Sequence, residues 1–335
     1  MNKTFLEKIF NNSKDKKIFI IGDIMLDRYL LGDVTRISPE APVQVFDIRK
    51  SEYRLGGAAN VGYNVKTLGA EPVLIGIAGD DNEGNLLLDE MDKLSLETKG
   101  IIFEKGRPTT CKTRVISDSH HLLRIDSESK DEISKESNQK ILNYLECNIK
   151  DIGVIILQDY NKGVLSKELI HLICEFAKKN NIKVLVDPKF DNFFEFKDVF
   201  LFKPNRKELE DAFGKKAKNI EEFDDFADQL INKINCENII LTLGENGMMI
   251  FENKKEINSG KFSKFKIETK AMSVADVSGA GDTVISTIAV CLAGGANVKD
   301  ATVIANYAAG IVIKEVGIVP IYKDVLIDYI LREQN

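Results

Sequence analysis

Asp276-Val277-Ser278-Gly279-Ala280-Gly281-Asp282-Thr283 runs directly into an apolar helical stretch, and its residue types are the ones best suited to chemistry in this chain. Two glycines around an alanine let successive main-chain N–H groups point outward, and a helix start adds positive potential, which together make a cradle for an anion. Asp282 stands beside that cradle. A carboxylate repels a phosphate, so its presence points to work: taking the proton from a hydroxyl that attacks a phosphoryl group. A lone GxGD is better read as a flexible turn with an acid at a helix start. The weight therefore falls on the rest of the chain.

Asp23 closes the apolar run Ile18–Gly22, and ligands of open α/β sheets lie beyond the carboxyl ends of strands. Its two oxygens suit the vicinal hydroxyls of a sugar, or equally a turn. Gly56, Gly57 and Asn60 belong to a small-residue segment that lets a ligand approach the backbone, so Asp23 and Asn60 together describe a polyol-binding floor. Lys203-Pro204-Asn205-Arg206-Lys207-Glu208 has capping-box spacing. Its functional reading is that Asn205 and Glu208 face nucleotide phosphates, with Arg206 and Lys207 between them, and that Glu208 organises Mg²⁺ through water. Thr242, Gly244 and Gly247 bound a turn against which a nucleotide can lie, or which simply closes a hairpin. Asn306 and Gly310 sit on a late helix where small residues admit a base. No GxxxxGK[ST] segment occurs, so a P-loop is excluded, and no GxGxxG follows the first strand.

These residues need a scaffold. Apolar runs alternate with helix-like ones: strands at 18–22, 73–78, 153–157, 183–186, 199–203 and 239–243, and helices at 56–68, 82–94, 167–179, 205–213 and 220–234. Continuous rather than alternating apolar strands, each joined to a helix, predict a mostly parallel sheet covered on both faces. Segments 43–48 and 101–125 depart from this, with β-branched residues and no helix between. Thr113–Ser117 and His121–Ile125 form a hairpin around Asp118–His120. The expectation is one α/β domain over residues 1–335, with a small β lid from segments around 34–50 and 101–126 that also mediates a homodimer.

The net charge of −6 argues against a nucleic-acid partner, so any cations for a phosphorylated ligand must be concentrated locally. Five cysteines without a CxxC pair read as reduced thiols, and three histidines leave little for a His/Cys metal site. Residues 1–17 form a short amphipathic helix without the apolar core of a signal peptide, and no run reaches the roughly 20 residues that span a bilayer. A soluble cytoplasmic protein without a membrane partner is expected.

Asp23, Gly56–Asn60, Asn205–Glu208, Thr242–Gly247 and Gly279–Asp282 occur in the order found in ribokinase-like (PfkB-type) sugar kinases, and the resemblance covers roughly residues 15 to 325. Within that family, Arg36-Ile37-Ser38-Pro39-Glu40-Ala41-Pro42-Val43 resembles the signature of D-glycero-β-D-manno-heptose 7-phosphate kinases. So do Arg107–Val115, Leu122–Asp126, Asp159–Gly163 and Val186–Lys189. The resemblance implies a three-layer α/β/α fold and transfer of the ATP γ-phosphoryl to the anomeric hydroxyl of a heptose 7-phosphate, toward nucleotide-activated heptose for lipopolysaccharide or other surface glycans. It makes Asp282 the base, gives the transferring phosphoryl to the Gly279, Ala280 and Gly281 amides, Mg·ATP to Asn205 and Glu208, and the sugar to Asp23, Gly57 and Asn60. Arg36, Lys112, Arg114 and Arg124 in the lid segments then suit the remote phosphate. Many relatives carry a second, nucleotidyl-transferring domain. With the sequence ending at Asn335, the monofunctional form is expected. The alternatives are a kinase for another sugar or sugar phosphate, and a non-catalytic sugar or nucleotide sensor on the same fold.

Overall fold

The structure, a computed structural model, describes residues 1–118, 120–253, 262–269 and 274–333. The strands are β1 (Lys17–Gly22), β2 (Ile24–Ile37), β3 (Gln44–Gly57), β4 (Glu71–Gly79), β5 (Ile101–Glu104), β6 (Cys111–Ser117), β7 (His120–Ser127), β8 (Ile152–Gln158), β9 (Lys183–Asp187), β10 (Leu201–Phe202), β11 (Asn238–Thr242), β12 (Met248–Asn253) and β13 (Phe262–Ile267). The helices are α1 (Lys3–Ser13), α2 (Ala58–Thr67), α3 (Asn82–Lys93), α4 (Lys135–Cys147), α5 (Lys167–Lys179), α6 (Arg206–Phe213), α7 (Glu222–Ile234), α8 (Ala280–Ala293), α9 (Val298–Val312) and α10 (Lys323–Glu333).

Nine strands form the main sheet in the order β13-β12-β11-β10-β9-β8-β1-β4-β5. Pairing is parallel from β11 to β5, and only the β11–β12–β13 edge is antiparallel. Strand residues alternate between two cores, which is why the strands are apolar throughout rather than on one side. Ile18 and Ile20 of β1 and Val154 and Ile156 of β8 join the core beneath α1, α2, α8 and α9. Their neighbours Phe19, Ile21, Ile155 and Leu157 join the opposite core beneath α4, α5 and α7. Helices on both faces of the sheet give the expected three-layer α/β/α architecture.

A second, four-stranded sheet runs β3-β2-β6-β7 and forms the lid. It is mixed, with β2 antiparallel to β3, parallel to β6, and β6 antiparallel to β7. Three expectations are corrected here. The lid begins at Ile24, because β2 follows β1 after only Asp23. Its 14 residues have an apolar start that packs under the lid and a polar end that leaves the body. Segment 101–104 belongs to the main sheet, where β5 pairs with β4, so the second lid segment starts at Cys111. Gly56 and Gly57 end β3 rather than open a helix, and α2 starts at Ala58. The 113–125 hairpin forms with His120 already in β7, and residue 119 of its turn lies outside the described residues. The five cysteines are free thiols. No helix among the described residues is long and apolar enough to cross a membrane.

The end of β1 ties the scaffold to the chemistry. A side chain on Gly22 would run into the Gln158 carbonyl at the end of β8. Gly22→Ala is expected to cost about 1–3 kcal/mol, as overpacking does, and to lower activity along with the melting temperature, because Gln158 touches the candidate base. Thermal unfolding and turnover of the variant check both effects.

Candidate active site

α8 opens at Gly279, whose φ of 77° is left-handed backbone that a glycine adopts freely. With no side chain at the cap, the first-turn amides of Gly281 and Asp282 lack intrahelical acceptors and are open to an anion. The Ala280 amide is not part of that cradle, since it donates to the Val277 carbonyl at 3.2 Å. Asp276 fixes the preceding loop by accepting the Ser278 and Gly317 amides, each at 2.9 Å.

Asp282 is only 2% exposed, yet it lines a cleft of about 760 Å³. Its Oδ2 accepts from Asn60 Nδ2 at 2.8 Å, and its Oδ1 accepts from the Tyr160 hydroxyl at 2.6 Å and from Gln158 Nε2 at 3.2 Å. Burial pushes its pKa up to about 6, against the opposing pull of the Tyr160 and Asn60 hydrogen bonds; the Asp187 charge adds to the rise and Lys203 counters it. The group is thus a base near neutral pH that is held in place by donors from α2 and from the end of β8.

Asp187, at the end of β9, pairs at 2.9 Å with Lys203 just after β10, and Gln158 also donates to Asp187 at 3.1 Å. A side chain on Gly281 would stand 3.6 Å from Lys203 Nζ, so this buried cation lies next to the amide cradle. Sequence reasoning gave no role to Gln158, Tyr160, Asp187, Lys189 or Lys203. The rule that singled out Asp23, a polar residue beyond a strand's carboxyl end, applies equally to β8 and β9 and would have found most of them.

The same cleft is lined by Asn205, Arg206, Lys207, Glu208, Thr242, Gly244, Gly247 and Asn306, which places the whole predicted nucleotide set on one wall. Several of these side chains also have structural duties. Asn205 and Glu208 form a full capping box on α6, at 2.8 Å in both directions, and Glu208 pairs with Lys189. Arg206 is spent on Glu210 at 2.9 Å and on the Ala217 carbonyl at 3.0 Å. Asn306 donates to the Glu268 carbonyl at 2.8 Å, and the Thr242–Gly247 turn closes the β11–β12 hairpin through a 2.8 Å bond from the Leu243 amide to the Gly247 carbonyl. Among the described residues no cluster of three His, Cys, Asp or Glu could hold a metal. Glu208, which lines the cleft, is a hard oxygen donor of the kind a Mg²⁺ takes through water.

The predicted sugar floor is rearranged. Asp23 is buried, and its carboxylate accepts the main-chain amides of Tyr160, Lys162 and Val164 at 2.7, 3.1 and 3.2 Å, so it clamps the loop that follows β8. Burial pushes its pKa up while those three amides pull it down. The small size of Gly56 and Gly57 serves the protein itself: side chains there would run into the Asp27 carboxylate and the Asp23 carbonyl. Gly57 also has φ 56°. Asn60 reaches the site by holding Asp282. Asp27, buried one turn of strand beyond Asp23, pairs with Arg114.

A second cleft of about 470 Å³ lies under the lid. Tyr29, Arg54 and Arg114 line it together with Asp276, while the adjoining Val277 and Gly279 line the first cleft. The Arg54 and Arg114 guanidiniums lie 4.8 and 5.3 Å from the Tyr29 ring centroid. Of the predicted lid cations, Arg114 alone lines this cleft. Lys112 is turned toward the Tyr160 ring, 5.8 Å from its centroid. Arg36 and Arg124 are exposed, face Asp47 at 3.9 Å and Asp126 at 2.9 Å, and line neither of these two clefts.

Residues 15–322 match the pfkB family carbohydrate kinase pattern. The chain belongs to the pfkB family of carbohydrate kinases. It is similar to the bifunctional protein HldE of Desulfatibacillum aliphaticivorans, 40% identical over 90% of this chain and 60% of that protein. The HldE of Aliarcobacter butzleri is 40% identical over 95% of this chain and 65% of its own length. The chain thus spans a little over three fifths of these relatives. The fold is also that of Arabidopsis thaliana ribokinase complexed with ribose and ATP, with TM-score 0.72 and 16% identity over 94% of this chain and 98% of that one. Escherichia coli phosphofructokinase-2 in complex with substrates and products gives TM-score 0.75 and 16% identity over 96% of this chain and 100% of that one. The chemistry of the family is phosphoryl transfer from ATP to a sugar hydroxyl, and a carboxylate beside a helix-start anion cradle is a group that such chemistry can use.

With Asp282 as base, Asp282→Asn is expected to lose about 10²–10⁴ in kcat with little change in the KM for ATP. Because the base works only when ionised, kcat/KM of the wild type should fall tenfold per pH unit below about 6 and level off above it. Steady-state kinetics across pH 4.5–8 test both.

Proposed function

We propose that the chain transfers the γ-phosphoryl of ATP to the C1 hydroxyl of D-glycero-β-D-manno-heptose 7-phosphate, giving the 1,7-bisphosphate on the way to nucleotide-activated heptose for surface glycans. The observation that carries this reading is Asp282 beside its amide cradle in the larger cleft, with the adjoining Asp276 on the wall of the second. The larger cleft, with its small-residue wall on α9, suits the nucleotide. The one beneath the lid suits the acceptor. In the transfer, the acceptor oxygen bonds to the γ-phosphorus as its proton passes to Asp282 and the bond to the departing ADP oxygen breaks. The Gly281 and Asp282 amides and Lys203 stabilise the charge on the transferring group. Mg²⁺ would be carried on the phosphates, with Glu208 reaching it through water, and it would neutralise charge there.

Three features support a phosphorylated heptose. The signature segments at 36–43, 107–115, 122–126, 159–163 and 186–189 resemble heptose 7-phosphate kinases, and the relatives bear the name HldE. The acceptor cleft holds Arg49, Arg54 and Arg114. The buried Tyr29 ring there is flanked by the Arg54 and Arg114 guanidiniums. Asp33 and Glu52 offset these cations, so a phosphate binds by taking over guanidinium N–H groups from them. Exposed Ile37, Val43, Ile48, Leu123 and Ile125 on the lid support a homodimer formed through it.

A panel of free and phosphorylated sugars with ATP, read by phosphorus NMR, tests the substrate. C1 phosphorylation of heptose 7-phosphate with poor use of free heptose is expected, whereas preference for a fructose phosphate or a nucleoside contradicts the reading. Arg54→Ala should raise the KM for heptose 7-phosphate by about 10- to 100-fold, the worth of a charged hydrogen bond, and leave the KM for ATP within twofold.

A further inference from the structure

We propose that Tyr160 is a positioning residue that, with Gln158, occupies Oδ1 of Asp282 and so assigns proton abstraction to Oδ2. A carboxylate oxygen accepts about two hydrogen bonds. Oδ1 has both places filled, by the Tyr160 hydroxyl and Gln158 Nε2, while Oδ2 holds Asn60 alone and has room for an acceptor hydroxyl. The phenol stays a donor throughout, since burial and then the Asp282 charge push its ionisation well above the ordinary range.

The ring sits where both halves of the site meet. The lid's Lys112 lies 5.8 Å and Lys189, the partner of Glu208, 5.3 Å from its centroid. Its main chain is fixed from below. The Asp23 carboxylate takes the amides of Tyr160, Lys162 and Val164, the Asp159 amide donates to the Asp187 carbonyl at 3.0 Å, and Asp159 accepts the Asn161 amide at 2.8 Å. Asp23 is therefore the second positioning residue, acting on Asp282 through this loop. A buried carboxylate spent on three main-chain amides is otherwise a costly way to close a turn. Besides Tyr160, the groups that face Asp282 are Asn60 from α2, Gln158 from β8, Asp187 from β9, Lys189 beyond it and Lys203 after β10. Tyr160→Phe keeps the ring and removes only the hydroxyl.

The inference rests on Asp282 as the kinase base but not on which sugar is used, so its test needs no acceptor. The protonation of Asp282 is titrated by infrared difference spectra against Asp282→Asn. Tyr160→Phe removes a donor to the ionised form, so the midpoint should rise by about one pH unit. Asp23→Asn should move it the same way, and the double variant no further than Tyr160→Phe alone. Site-specific 3-fluorotyrosine at position 160, a stronger donor of nearly the same shape, should lower it, and this arm decides the matter if Tyr160→Phe does not fold. A midpoint unmoved in folded Tyr160→Phe, or unmoved by fluorination, overturns the proposal. With whichever sugar phosphate the panel shows to turn over, the acid limb of kcat/KM should shift with the midpoint while the KM for ATP stays within twofold. A panel without turnover defeats the heptose reading and leaves the titration result standing.

Discussion

A carboxylate kept out of water at the start of a helix is the constraint around which this chain is arranged. Burying a charge is costly unless donors replace the lost water, and here three donors come from two separate parts of the chain: Asn60 on α2, and Gln158 and Tyr160 at and just beyond the end of β8. Those contacts span 222, 124 and 122 residues of sequence. The base is therefore assembled only when the sheet, α2 and α8 are all in place, and its raised affinity for protons is a property of the whole fold.

The neighbouring charges divide the labour. Lys203 is neutralised by Asp187 in the resting molecule, so a buried cation is kept beside the cradle without being exposed to competing anions. An arriving phosphoryl group can draw on that cation because the dielectric around the pair is low. Lys189 and Glu208 repeat the arrangement on another wall of the larger cleft. The lid does the same with Arg114 and Asp27. Each ion pair holds a cation in a satisfied state.

Much of this was legible in the sequence, and the failures have physical causes. The α/β/α architecture followed from continuous apolar strands, because a sheet covered on both faces needs both sets of side chains to be apolar. The helix start after Gly279 and the place of Asp282 in its first turn followed from GxGD before an apolar helix. The lid's extent was hidden because β2 starts within one residue of β1, and no turn signal separates an apolar strand end from an apolar strand start. The glycines at 56 and 57 are needed for a close approach to Asp27 and the Asp23 carbonyl, partners that lie far off in the sequence and carry no local signal. Asp23 itself shows the limit of a residue-type argument. A carboxylate at a strand end can bind hydroxyls or amides, and only the course of residues 159–164 brings three amides to this one.

The most direct test of the account is a crystal structure of the chain with a non-hydrolysable ATP analogue and the sugar that it phosphorylates. The account predicts the acceptor hydroxyl at about 3 Å from Asp282 Oδ2, with the terminal phosphoryl on the Gly281 and Asp282 amides beside Lys203 and the phenol still on Oδ1. An acceptor hydroxyl that faces another group, or a terminal phosphoryl held away from the start of α8, would contradict it.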